Sequence, residues 1–311
     1  MSGTSTKETR DIVRAAERLL DPEHPMGLRH LYYLLVQAGV LKPRIVGGSG
    51  KNAGKLETGQ MLAKRLSRIM TRARQRHLVS YESLTDGMRD DIKPSSWAGI
   101  LDYTDTVRDV YRKDLWQSQH DYIEFAFEKH AIIGTVEEVG EEYNAKLRPL
   151  HGQDSTSHLY RWAKQLAQIR KPIFIYYAGD HDASGYAIEN SAQHRLKELL
   201  KDEFGWTPRD FARFHWYRFA FLVRDFKTHN IPALDSKPSD PNYEKFKAQY
   251  GTEAAELDAL PPDELRSRMK KLIFKHIEMG EWRRLQGIEE LENESWRTVM
   301  DNFCEGFPMR E

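Results

Sequence analysis

In Ile173–Gly185, IFIYYAGDHDASG, an apolar run stops at two aspartates, Asp180 and Asp182, bracketed by Gly179 and Gly185. Residues two apart on an extended chain project to the same side, so both carboxylates can face one ion. Hard oxygen donors at that spacing suit Mg2+, which takes one or two carboxylates and fills its shell with water and phosphate. The same residues also suit a turn in which an aspartate caps the next helix. Gly185 leaves room for close approach of backbone or ligand. A third acid, Glu128, ends the run YIEFAFE and would join the pair if the two runs are neighbouring strands. Read alone, it is an acid favoured at a helix N-terminus. Lys129 beside it is either a phosphate contact or a solvated charge.

The elements that must position these groups are legible from the hydrophobic pattern. From residue 121 strands and helices alternate: strands over 122–128, 146–150, 172–179 and 214–221, helices over 129–143, 155–169 and 185–203. Such alternation predicts an α/β fold with a mostly parallel sheet, in which ligands sit outside the carboxyl ends of the strands. After 222 the chain is polar and irregular, then ends in helices near 262–280 and 285–302.

The first 95 residues read differently. A helix over 6–20 is closed by the Asp-Pro and His-Pro breakers at 21–25, and a second, GLRHLYYLLVQAG, ends at Gly39. The Gly- and Lys-rich segment KPRIVGGSGKNAGKLETG reads as a loop, a candidate wing. In QMLAKRLSRIMTRARQRHL, Leu62, Leu66, Ile69 and Ala73 form an apolar stripe opposite Arg65, Arg68, Arg72 and Arg76. Three short helices, one strongly basic, beside a glycine-rich loop predict a helix-turn-helix or winged-helix domain. Lys64, Arg65, Arg68, Arg72, Arg74 and Arg76 are the candidate DNA contacts. A solvated face normally mixes signs, and no acid occurs from Thr58 to Tyr81. TDGMRDDIKPSSWAGI, 85–100, reads as a linker and 101–120 as a connecting helix, so that 96–120 joins the two domains.

Composition bounds the function. Basic and acidic residues balance at 47 each, but residues 1–95 hold 17 basic and 10 acidic ones, a +7 that the remainder cancels. That asymmetry is a fluctuation or a polyanion-binding module joined to something else. A single cysteine, Cys304, excludes an internal disulfide and suits a reducing cytoplasm. No run approaches the roughly 18 apolar residues of a membrane span, and MSGTSTKETRD lacks the apolar core of a signal peptide. The 12 histidines lack zinc-site spacing. GGSGKNAGKL departs from the P-loop pattern, with Ser49 at its first glycine and Leu56 after Lys55.

Glu128 on a first strand and GDHDASG on a third resemble the TOPRIM domain of topoisomerases, primases and related nucleases. Arg29-His-Leu-Tyr-Tyr33 resembles the R-x-x-[YF]-Y motif of the winged-helix domain in topoisomerase VI A subunits and the meiotic double-strand-break transesterase. The domain order also resembles that family, and ARQRHLVSYESLTDGMR and GTEAAELDALPPDELR look like its short bacterial and phage-borne mini-A relatives. The resemblance spans about residues 26–270. Ala183 stands where relatives usually have proline, and HGQDSTS at 151–157 only loosely resembles their Gly-Ser segment.

What the resemblance implies is a winged helix over 1–95, a Rossmann-like TOPRIM domain over 121–225, and a C-terminal extension over 226–311 that completes it and is a candidate dimer interface. It implies Tyr33 as nucleophile with Arg29 beside it, Mg2+ on Glu128, Asp180 and Asp182, and a 5′-phosphotyrosyl intermediate on double-stranded DNA. It further implies a homodimer, because each tyrosine cuts one strand, a separate ATPase B-like subunit, and a nucleoid-associated location. Two alternatives stand beside it: a metal-dependent TOPRIM nuclease in which water attacks, and a non-catalytic DNA-binding protein. Apart from the resemblance, a tyrosine on an amphipathic helix is a core residue with its hydroxyl at the edge.

Overall fold

The structure is a computed structural model that describes residues 7–21, 26–46, 54–80, 83–85, 95–108, 110–150 and 156–306. The tip of the expected wing (47–53), most of the expected linker (86–94) and the segment 151–155 lie outside the described residues.

The N-terminal module packs α1 (Lys7–Leu19), α2 (Leu28–Gln37) and α3 (Gly59–Gln75) around Ile12, Leu31, Leu35, Leu66 and Met70. Each helix is amphipathic, so three apolar stripes close one small core. The α3 stripe runs through Leu62, Leu66, Met70 and Ala73, leaving the expected Ile69 only half-buried. Thr58 caps α3 by accepting the Met61 N–H. Between α2 and α3 the chain doubles back, with an antiparallel bridge between Ile45 and Leu56. A short parallel pair, β1 (Met26–Gly27) and β2 (Leu84–Thr85), ties the start of α2 to the end of the module.

The connecting helix α4 covers Ile100–Arg108 and stops well short of the expected 120. Tertiary bonds hold the chain beyond it in another course. Lys113 pairs with Glu292 at 2.8 Å, and the Trp116 indole donates to the Tyr143 carbonyl.

Four parallel strands follow, β3 (Tyr122–Phe127), β4 (Lys146–Pro149), β5 (Ile173–Ala178) and β6 (Phe214–Ala220), in spatial order β4-β3-β5-β6. The crossovers are α5 (Ile133–Glu142), α6 (Thr156–Gln168), then α7 (Ala183–Asp202) with the single turn α8 (Pro208–Phe211). This mixed α/β unit, its sheet buried on both faces, is compatible with a Rossmann-like domain. Alternation sorts the side chains. Phe125, Phe127, Tyr176 and Phe219 face one core, while Ala126, Ile173, Ile175 and Tyr177 meet Trp162 and Leu196 in the other. Fully burying each large apolar side chain contributes roughly 1.5–3 kcal/mol.

The stretch after 222 holds more structure than its polarity suggests. The turn α9 (Asp225–Thr228) is followed by the two-residue strand β7 (Leu234–Asp235). Next come α10 (Tyr243–Tyr250) and β8 (Glu253–Ala254), which pairs with β7. Helix α11 (Pro262–His276) packs with α5 on the Phe125 side of the sheet, and the long α12 (Met279–Glu305) returns along α4. Among the described residues no helix is long and apolar enough to cross a membrane.

Candidate active site

The strand order places the acids as their spacing requires. β3 and β5 are direct neighbours with Phe127 opposite Ala178, so Glu128 and Gly179 leave the sheet side by side. The Glu128 Oε2 accepts the Asp180 N–H at 2.8 Å. Glycine is needed at 179, because a Cβ there would stand 2.7 Å from Glu128 Oε2 and 2.6 Å from the Tyr177 hydroxyl. At Gly185 a Cβ would stand 2.5 Å from the Asp180 carbonyl oxygen. Asp182 is the helix cap that the turn reading anticipates: its Oδ1 accepts the Gly185 N–H at 2.7 Å at the start of α7.

Lys129 is not a free surface charge. Its Nζ lies 2.6 Å from Asp180 Oδ2 and 3.6 Å from Asp258 Oδ2. Burial works against the ammonium, but Asp180 and then Asp258 hold its pKa above the usual value. Asp258 reaches the site because His181 and Ala255 exchange two backbone hydrogen bonds, stitching the Asp180 loop to the 255–260 segment. The Leu257 N–H then donates to Asp180 Oδ1 at 2.8 Å.

The same segment carries Glu256, which meets α2. Arg29 forks onto it, with Nε 2.6 Å from Oε2 and Nη2 2.8 Å from Oε1. Burial opposes the Arg29 charge, while Glu256, then Asp258, Tyr33 and Asp180, raise its pKa. Tyr33 is 9% exposed and packs at the edge of the sheet core, in T-shaped contact with Tyr32. Its phenol is pushed well above the ordinary range, by burial first and then by the charge and hydrogen bond of Glu256, against the pull of Arg29. The groups acting most on it are thus Glu256, Arg29 and Asp258, and Arg29 is its link to the Asp180 cluster.

Glu256, Asp258 and Arg218 are site residues that residue types and spacing did not single out. Arg218 donates from Nη1 to the carbonyls of Gly179 and Asp180 at 2.9 and 3.1 Å, and its Nε pairs with Glu189 at 2.7 Å. It pins the turn that presents Asp180. The stretch GTEAAELDALPPDELR, matched by resemblance, was the one sequence signal for Glu256 and Asp258.

Five carboxylates therefore share this region with Arg29 and Lys129 as their cations. The Glu128 carboxyl is pushed up to about 7, by burial first and then by Asp180. Burial, then Asp180, raises Asp182 against its bond to Gly185, and burial raises Asp258 against Lys129 and Arg29. Among the described residues no three His, Cys, Asp or Glu side chains converge closely enough to hold a metal ion. The oxygen donors are of the class that Mg2+ takes, but Glu128 accepts the Asp180 N–H, Asp180 is held by Lys129 and the Leu257 N–H, and Asp182 caps α7.

The raised Glu128 value has a consequence for stability. Proton uptake favours the folded state fully below the ordinary value of 4.5, and that benefit is lost as pH rises through about 7. Glu128→Gln is expected to flatten this slope, worth about 3 kcal/mol across the window. Urea midpoints in metal-free buffer, with and without the substitution, measure it.

On α3, Lys64, Arg68, Arg72 and Arg76 are exposed, with no ion pair among the described residues, while Arg74 is half-buried. Arg65 is a correction to the expected basic face. It turns inward, its guanidinium 2.9 Å from Glu8 and 3.0 Å from Glu57, and it staples α3 to α1. Its position at the margin of the apolar stripe, with two acids in reach, outweighs its membership of a basic run.

No protein-family model matches the chain, and no curated protein matches it.

Proposed function

We propose that the chain cleaves double-stranded DNA by Mg2+-dependent tyrosine transesterification, in the manner of topoisomerase VI A subunits. The observation that carries this reading is the segment 256–258: Glu256 pairs with Arg29 one helix turn before Tyr33, while the Leu257 N–H meets Asp180 and Asp258 lies 3.6 Å from Lys129. It brings a phenol, two cations and a group of acids together where the two modules meet. In this reading the module of α1 to α3 is a winged helix and the parallel sheet is a TOPRIM domain.

A phenol with an ordinary pKa near 10 is a poor nucleophile. Glu256, the carboxylate that acts most on the Tyr33 phenol, takes the phenolic proton as the oxygen approaches phosphorus, and Arg29 favours the phenolate that forms. The bond from phosphorus to the 3′ oxygen breaks as the bond to Tyr33 forms, leaving a 5′-phosphotyrosyl end and a 3′ hydroxyl. Glu128, Asp180 and Asp182 would hold the Mg2+, which when bound supplies stabilisation of the charge growing on phosphate and leaving oxygen. Lys129 neutralises Asp180 and is near enough to meet a phosphate oxygen.

Each Tyr33 cuts one strand, so a duplex break takes two copies of the chain, and strand passage takes a separate ATPase partner. DNA lies on the exposed cations of α3. Replacing Arg68 and Arg72 together by alanine is expected to lower the slope of log affinity against log salt by about 1.8, measured by anisotropy with a labelled duplex.

The decisive experiment mixes the protein with supercoiled DNA and Mg2+, then quenches with detergent. DNA ends that carry protein through denaturation support the proposal; linear or nicked DNA free of protein at every time point sinks it. The burial of Tyr33 favours one rival in particular, a TOPRIM nuclease in which water attacks, and protein-free ends are its signature.

A further inference from the structure

β6 is the last strand of its sheet, paired among the described residues only with β5. α11 covers β5 but leaves the outer strand partly bare, and a cavity of about 360 Å3 opens between β6 and α11. Its floor is apolar, made by Tyr176, Phe219 and Leu272. Tyr217 stands on its β6 side, 49% exposed, stacked on Tyr176 at 6.0 Å and on His215 at 6.3 Å. These neighbours hold the ring in place, so its exposed half is presented at little conformational cost.

The rim is cationic, and among the described residues no acidic side chain lines the cavity. Arg218 and Arg268 belong to the wall, but their charges are spent on Glu189 and on Asp225 and Glu264. Arg224, Lys271 and Lys275 are exposed and have no ion pair among the described residues. The two lysines lie four residues apart on α11, so they occupy one face of the helix. A rigid open aromatic face beside three unpaired cations matches a planar base joined to phosphate. An acidic peptide would use the cations but not the ring.

We propose that the gap between β6 and α11 is a nucleotide-binding groove, with a base on Tyr217 and its phosphate on Lys271, Lys275 and Arg224. The nucleotide belongs to a nucleic-acid strand or is a free nucleoside phosphate; the chemistry is shared and the test separates them. The groove shares Arg218 with the Asp180 turn, but neither Tyr33 nor any of the five carboxylates of that region lines it, so the proposal holds whether or not the chain cleaves DNA.

The test uses the full chain with Arg68 and Arg72 replaced by alanine, so that α3 does not mask the groove, in buffer with chelator so that nothing is cut. Fluorescein-labelled (dT)6 is titrated by anisotropy at several salt concentrations. Tyr217→Ala is expected to weaken binding about tenfold or more, while Tyr217→Phe keeps it, because the ring and not the hydroxyl carries the contact. Lys271→Ala with Lys275→Ala is expected to lower the salt slope by about 1.4. Displacement by millimolar ATP identifies a free nucleotide as an occupant, and displacement by unlabelled (dT)6 alone identifies a strand. Unchanged binding in both the tyrosine-to-alanine and the double-lysine variants overturns the proposal. So does equal displacement by polyglutamate, which would make the groove a seat for acidic peptide.

Discussion

Tyr33→Phe is expected to abolish the covalent protein–DNA adduct and to lower cleavage by at least about a thousandfold, leaving the fold in place. The two consequences come from different atoms of one side chain. The ring is what the core uses: it is buried against the sheet cluster and meets Tyr32 edge-on. Phenylalanine preserves that ring, so the stability change is confined to the lost hydroxyl and its interaction with the Glu256 carboxylate, about 1 kcal/mol. In the proposed reaction the oxygen is the nucleophile, and phenylalanine has none. Denaturation and anisotropy on the same preparation separate folding and DNA binding from bond cleavage. Full cleavage with Tyr33→Phe would assign the attack to water and reduce Tyr33 to a core residue.

Much of this arrangement was legible beforehand because it rests on periodicity. The four strands and their crossovers follow from alternating apolar runs, and the meeting of Glu128 with Asp180 follows once β3 and β5 are neighbours. What was not legible depends on long-range pairing that leaves no periodic trace. Glu256 and Asp258 sit in a stretch without a hydrophobic period, and the backbone exchange between His181 and Ala255, with the Leu257 N–H on Asp180, delivers them to the site. Arg218 lies in the expected strand 214–221 with nothing to single it out, yet it pins the Asp180 turn through two carbonyls. Arg65 shows the converse. Membership of a basic run placed it on the outer face, but two acids outside its own helix, Glu8 and Glu57, draw it inward. The helix expected to reach residue 120 failed for a similar reason, since Lys113 and Trp116 find partners in Glu292 and Tyr143 that a helix would not let them reach.

Lys129→Met is the variant with the largest expected loss of stability, about 3–5 kcal/mol in metal-free buffer. The ammonium lies within ion-pair distance of Asp180 and Asp258, and Asp258 is 3% exposed. Methionine fills similar volume, so the loss is electrostatic rather than a cavity: two buried carboxylates are left facing each other with no cation between them. Some of that loss is recovered as the acids take up protons, so the deficit should shrink as pH falls through the range in which Glu128 titrates, near 7. A double substitution, Lys129→Met with Asp180→Asn, removes one of the repelling charges and should be more stable than Lys129→Met alone. Addition of millimolar Mg2+ then tests the proposed cation site through folding rather than through activity. An ion held by the acids left unpaired stabilises the folded state by mass action, so Mg2+ should raise the denaturation midpoint of Lys129→Met more than that of the wild type. If Mg2+ lifts neither protein while DNA cleavage still requires it, the ion is recruited with the phosphate, and the carboxylates by themselves are not its binding site.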